Sequence, residues 1–419
     1  MPVLAHLSKR SLYLFACAGG VAGACSMEPL DASEPPVAAE AAAAIGDAHA
    51  ARGPSFATLF KAPLGTEGLT ADAAGNLYTA GRASANPCPV WRVAARDGAV
   101  SIVGNLPPPC SPSGLAFDAA GALYIADGGD KIDRLVPDAK APPTAAVFAS
   151  GVPGGNGLAF DRNGNLWVTD GGVGLGRVVK IAHDGTVTEM LRIQPMANDV
   201  NATAVGAMMV GGVGRDVHAL PPGTLNLGPN PGRAGLDAVG SVSIVANGIA
   251  FDRDGDTAFI ADTARGAIWR IQLDRHGNLR SSVGCDTTFL PDTLCLDNLF
   301  VQHPYLDGLD GIALDTEGNI WGAANERNAV VEVSRDGAVH EVFRNAADPA
   351  TRLRNTGPLE FPTSPFLAGH RLCVAQTDAL RRDNAPNAAG EVGGTTGFLG
   401  KISCTEQPLA VAGLRLPIR

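Results

Sequence analysis

A β-propeller of six blades, each a four-stranded antiparallel sheet, is the fold class this sequence predicts. Three observations predict it: a short motif that recurs along the chain, a spacing between copies that matches one blade, and apolar strand-length runs on both sides of each copy. The motif pairs an inner-strand glycine with an Asp and a second glycine. Its copies begin at Gly68 (with Asp72 and Gly75), Gly114 (Asp118, Gly121), Gly157 (Asp161, Gly164), Gly248 (Asp252, Gly255) and Gly311 (Asp315, Gly318). A weaker sixth copy runs from Ser364 to Val374.

Each element of a blade follows from the residues. The Asp and second Gly make a tight turn: the carboxylate can accept turn amides, and Gly takes a positive φ. A second apolar strand follows, as in Leu77-Tyr78 and Leu166-Trp167, then a third such as Ala267–Ile271 or Val330–Val333. Turns such as Asp184-Gly185 lead to a fourth. Gly68 to Gly114 is 46 positions and Gly114 to Gly157 is 43, room for four short strands with their turns. The strand Phe56–Phe60 has the character of a fourth strand and is expected to complete the last blade.

Outside the repeats, residues 1–24 read as an export signal. Lys9 and Arg10 precede a short apolar run, and Ala22-Gly23-Ala24 is a small-residue cleavage site. Cys25 follows it, so lipidation at Cys25 and simple secretion stand as equal alternatives, with the periplasm or the cell envelope as destination. Residues 25–53 are rich in Ala, Pro and acidic residues and read as a flexible linker; the propeller fills 54–419. Asn156 and Asn247 lie 91 positions apart, nearly two periods, and an insertion at 197–245 is expected to cap one face. A net charge of −10 and the lack of a basic cluster beyond the N-terminus exclude nucleic acid as the expected partner. A monomer acting on a small molecule is expected, with membrane contact only through a lipid at Cys25.

The cysteines agree with an oxidising compartment. Setting Cys17 and Cys25 aside, the rest fall into neighbouring pairs: Cys88 with Cys110, Cys285 with Cys295, and Cys373 with Cys404. Proximity and blade geometry predict three disulfides in that pairing.

The residue just before each inner strand must stand at one mouth of the channel. These residues are Glu67, Ser113, Asn156, Asn247, Asp310 and either Thr363 or Ser364. Two carboxylates and two carboxamides around one axis suit a hard divalent cation, Ca²⁺ foremost. No Lys, Arg, His or Cys occupies a mouth position.

The pairs Glu67-Gly68, Asn156-Gly157, Asn247-Gly248 and Asp310-Gly311 resemble the metal site of the senescence marker protein/gluconolactonase/luciferin-regenerating-enzyme family of six-bladed propellers. The resemblance covers about residues 65–375 and implies that Glu67, Asn156, Asn247 and Asp310 ligate a metal. It implies hydrolysis of a lactone or related ester, with Asp310 as base. Leu69-Thr70-Ala71 and Gly154 depart from the family pattern. The repeats also resemble NHL-type propellers, which leaves open a non-catalytic propeller that binds a ligand or protein at the same mouth. An open pocket beside Glu67 and Asp310 would favour hydrolysis; a channel filled with apolar side chains would favour binding. Ser113, Asp170, Asp262 and His303 are further candidates for a supporting or substrate-contacting role, Asp170 and Asp262 because they end second strands on the mouth side.

Overall fold

A computed structural model describes residues 53–83, 85–128, 130–171, 176–193, 246–263, 266–280, 298–306, 308–345, 357–377 and 400–418. The first strand, β1 (Phe56–Lys61), stands apart from blade one. Blade one consists of β2 (Thr70–Ala71), β3 (Leu77–Ala80), β4 (Cys88–Val93) and β5 (Val100–Leu106). Blade two has β6 (Pro112–Phe117), β7 (Leu123–Asp127), β8 (Lys131–Leu135) and β9 (Ala146–Ser150). Blade three has β10 (Gly155–Phe160), β11 (Leu166–Asp170), β12 (Arg177–Ile181) and β13 (Val187–Arg192). Blade four has β14 (Ile249–Phe251), β15 (Thr257–Asp262), β16 (Ala267–Gln272) and β17 (Leu299–Gln302). Blade five has β18 (Leu309–Leu314), β19 (Ile320–Ala324), β20 (Ala329–Val333) and β21 (Val339–Arg344). In blade six, β22 (Pro362–Ala368), β23 (Arg371–Thr377) and β24 (Gly400–Thr405) are joined by β1.

The ring therefore closes with its N-terminal strand. β1 pairs antiparallel with β24, from Phe56 opposite Thr405 to Lys61 opposite Lys401. One sheet thus holds both ends of the propeller. The fold is a six-bladed β-propeller, and the described helices are two single 3₁₀ turns at Pro304–Leu306 and Asn325–Arg327.

The repeated Asp has a geometric reason. In blade three, Asp161 Oδ1 accepts the amides of Asn163 (2.8 Å) and Asn165 (2.9 Å), while Oδ2 accepts the Asn165 side chain (3.0 Å) and the Trp167 indole N–H (2.9 Å). Asp315 does the same for Asn319 and Trp321, and Asp72 for Asn76 and the Tyr78 hydroxyl. One carboxylate thus holds the turn and ties it to the second strand. Gly164, at φ 78°, stands where a side chain would be strained.

Blades pack on one another through apolar faces. Trp167, fully buried, meets Phe251 of blade four edge-on at 5.7 Å within a cluster that also holds Leu191, Ile260 and Trp269. Each such large side chain contributes about 1.5–3 kcal/mol when fully buried. Cys88–Cys110 and Cys373–Cys404 are disulfide-bonded, with Cα atoms 6.1 and 4.0 Å apart. Cys285 and Cys295 lie outside the described residues, as do the expected signal (1–24), Cys25, most of the linker and the expected cap at 197–245.

The lumen is apolar. Leu69, Leu115, Leu158, Ile249, Ile312 and Pro365 surround a cavity of about 100 Å³. Leu414, Leu416 and Pro417 line it too, at the end where the Asp turns lie. The C-terminal segment reaches there by main-chain bonds, Thr316 N to Ala412 O (2.8 Å) and Leu414 N to Leu314 O (3.1 Å). It ends with Ile418 buried in the Trp167 cluster.

Candidate active site at the channel mouth

The mouth residues are brought side by side by their glycines. A side chain at Gly68 would collide with the Ser113 carbonyl, because adjacent inner strands approach too closely there for a Cβ. The same approach sets Gly114 on Asn156, Gly157 on Asn247, Gly248 on Asp310 and Gly311 on Thr363. Thr363 closes the circle by donating its hydroxyl to the Glu67 carbonyl at 2.6 Å. The main chain of Glu67, Ser113, Asn156, Asn247, Asp310 and Thr363 thus forms one ring, with Thr363 in the sixth place.

The side chains of this ring differ in how they are held. Asn247 is 1% exposed, and its Nδ2 donates to Thr263 Oγ1 at 3.0 Å. Thr263 passes its own proton to the Leu309 carbonyl at 2.6 Å, so it can only accept from Asn247. This relay fixes the amide so that its oxygen turns away from Thr263. Asp310 is 5% exposed, and its Oδ2 accepts Asn325 Nδ2 at 3.1 Å. Ser113 Oγ donates to the Gly155 carbonyl at 2.9 Å, which binds blade two to blade three. Asn156 is half-buried. Glu67, also half-buried, is ion-paired with Arg82. Arg82 Nε in turn donates to the Pro112 carbonyl of blade two at 3.4 Å.

Arg82, Thr263 and Asn325 occupy equivalent places, within two residues of the ends of the second strands of blades one, four and five. Sequence reasoning passed over all three and chose Asp170 and Asp262, one position earlier. Asp170 accepts the Gly154 amide at 2.8 Å and pairs with Arg177; Asp262 accepts the Trp269 indole at 3.0 Å. Both are fully buried and tie strands and loops within their own blades. Aligning the repeats one residue further would have shown Arg82, Gly128, Gly171, Thr263, Asn325 and Thr377, a register rich in hydrogen-bonding groups. His303 precedes the Pro304–Leu306 turn, accepts the Tyr305 amide on Nδ1 at 3.1 Å and stacks edge-on with the Tyr305 ring at 4.8 Å. Burial, then the charges of Arg327 and His340, lower its pKa, which keeps it neutral near pH 7.

The residues present suit a hard cation. The ring offers carboxylate oxygens from Glu67 and Asp310 and amide oxygens from Asn156 and Asn247. Beside Asp310, the buried Oδ1 of Asn325 has no hydrogen-bond partner among the described residues. An orphaned buried acceptor next to a buried carboxylate is what a cation or its bound water would satisfy. Among the described residues, no three His, Cys, Asp or Glu side chains gather anywhere, so any such centre would depend on amide oxygens.

Known proteins resemble this chain in part of its sequence and in its fold. Residues 193–353 match the family described as SMP-30/Gluconolactonase/LRE-like region, a stretch that includes Asn247 and Asp310. The chain is 29% identical over 156 residues to pentonolactonase XacC of Haloferax volcanii, covering 34% of this chain and 49% of that protein. The chain therefore spans about half the length of this curated relative. Among solved structures, the calcium-binding protein regucalcin from Agrobacterium tumefaciens superposes with a TM-score of 0.50 at 20% identity, over 86% of this chain and 95% of that one. A luciferin-regenerating enzyme superposes with a TM-score of 0.53 at 14% identity, over 86% and 98%. These two likenesses are likenesses of fold.

Proposed function

We propose, from the SMP-30/gluconolactonase/LRE-like region that this chain carries, that it hydrolyses a lactone or a related ester at the ring mouth. The observation that carries the reading is the buried Asp310 carboxylate, which lies inside the matched region, is fixed by Asn325 and belongs to the mouth ring of oxygen-bearing residues. Glu67, Asn156, Asn247 and Asp310 would hold a divalent cation, Ca²⁺ foremost. Such a cation, when bound, supplies polarisation of the scissile carbonyl. Asp310 takes a proton from the attacking water as its oxygen bonds to the carbonyl carbon. The lactone C–O bond then breaks, and the released oxygen takes that proton from Asp310 to become the product hydroxyl, which regenerates the carboxylate. Asn325 orients the carboxylate for this transfer, and the Thr263 relay presents the Asn247 amide oxygen.

Export to the periplasm or envelope belongs to the same proposal. The N-terminal segment and the two formed disulfides support it. A second reading, a non-catalytic propeller that binds a ligand or protein at this mouth, is favoured by the apolar lumen beneath the ring.

The deciding experiment is hydrolysis of a panel of sugar lactones and simple esters by the purified full chain, with added divalent metals and after chelation. Asp310→Asn, which keeps the shape of the side chain, should lose turnover by about 10²-fold or more while melting like the parent. Turnover that survives in Asp310→Asn would remove Asp310 as base. No turnover on any substrate would favour the binding reading.

A further inference from the structure

We propose that Arg82 is a built-in cation that competes with a divalent metal for Glu67 and thereby sets how tightly the mouth holds that metal. The inference rests on the metal site proposed above. Its starting point is a break in the ring's own pattern. The places past the second strands present neutral partners to the mouth residues of blades four and five: Thr263 to Asn247 and Asn325 to Asp310. In blade three the equivalent residue is Gly171, with no side chain to offer. Blade one alone among these carries a charge there, and that charge rests on the one mouth glutamate.

The geometry makes the pairing directed. Arg82 Nε reaches the Pro112 carbonyl, just before Ser113, so the guanidinium spans the seam between blades one and two with Nη2 on Glu67 Oε2. The Glu67 side chain is 12% exposed and that of Arg82 33%, so the arginine is the more solvent-accessible member of the pair. A guanidinium keeps its charge at any working pH, so protonation cannot release Glu67 from it. A divalent cation that ligates Glu67 must displace the guanidinium or accept a like charge within a few ångströms. Either way its affinity falls below that of the same ring without Arg82.

The test is calorimetric titration of Ca²⁺, and separately Mn²⁺, into the chelator-stripped full chain: wild type, Arg82→Gln, Arg82→Lys, Glu67→Gln and the Arg82→Gln/Glu67→Gln pair. The expected result is binding about tenfold tighter or more in Arg82→Gln, an intermediate gain or none in Arg82→Lys, and loss of that gain in the double variant. Thermal unfolding of each variant shows that the fold is retained; should Arg82→Gln fail to fold, Arg82→Met provides the neutral side chain. Equal or weaker binding in Arg82→Gln, while Glu67→Gln abolishes binding, overturns the competition and leaves the metal site standing. Absence of binding in every protein overturns the metal site and the competition together.

Discussion

The indole N–H of Trp167 donates to the turn carboxylate of Asp161 at 2.9 Å, and both residues are buried. The same carboxylate accepts two turn amides, so one residue satisfies donors in the turn and on the second strand. Asp161→Ala would strand all of them, and a stability loss of about 3–4 kcal/mol is expected in urea unfolding. Asp252 is the internal control. It accepts the amides of Asp256 and Thr257, and the place of Trp167 is held in blade four by Phe259, whose ring has no N–H to donate. Asp252→Ala should cost about half as much. Equal losses would show that the aromatic donor adds nothing to the turn.

Cys373 and Cys404 face each other in the β23–β24 ladder, and β24 also carries β1. Their bond therefore braces the sheet in which the two ends of the propeller meet. A loop of 31 residues closed by a disulfide is worth about 2–4 kcal/mol. The double change Cys373→Ala/Cys404→Ala should lower stability by that amount in non-reducing unfolding, with the melting point reduced by several degrees. An unchanged unfolding curve would refute the brace.

Asp133 is fully buried in blade two, 3.4 Å from Lys131 Nζ, with Asp127 also against that lysine at 3.1 Å. Burial raises the Asp133 pKa; Lys131 lowers it, and Asp127 raises it. The folded state therefore holds this proton to higher pH than the unfolded chain does. Between the unfolded value near 4 and the raised folded value, the wild type loses stability as pH rises. Asp133→Asn has no proton to lose there. Its stability relative to wild type should climb with pH through that window and then level off, measured as urea midpoints from about pH 4 to about pH 8. A difference that is flat with pH, or that falls, would contradict the raised pKa.

The blades were legible because they are local. An Asp, a Gly three residues later and an aromatic beyond it are joined by bonds that span six residues or fewer, as between Asp161 and Trp167. The closing role of β1 was legible on another ground: Phe56–Phe60 has the character of a fourth strand and lies ahead of blade one, although its partner β24 lies at the far end of the propeller. The partners of the mouth residues were not. Arg82 lies 15 positions from Glu67, Thr263 16 from Asn247 and Asn325 15 from Asp310, and each meets its partner across the end of a strand pair. Strand ends alternate faces, so a shift of one residue changes which side chain turns to the mouth. Asp170 and Asp262, one residue earlier, turn to the Gly154 amide and the Trp269 indole.

By itself, then, the chain's repeat determined the number of blades, the glycine turns and the set of residues that must stand at one mouth. Only the tertiary structure decided what those residues touch. Whether Glu67 faces a guanidinium, or Asp310 an amide, depends on how strands from one blade end against each other and on how closely neighbouring glycines let the blades approach. Those are distances of a few ångströms between positions far apart in sequence, and a repeat fixes its own period without fixing them.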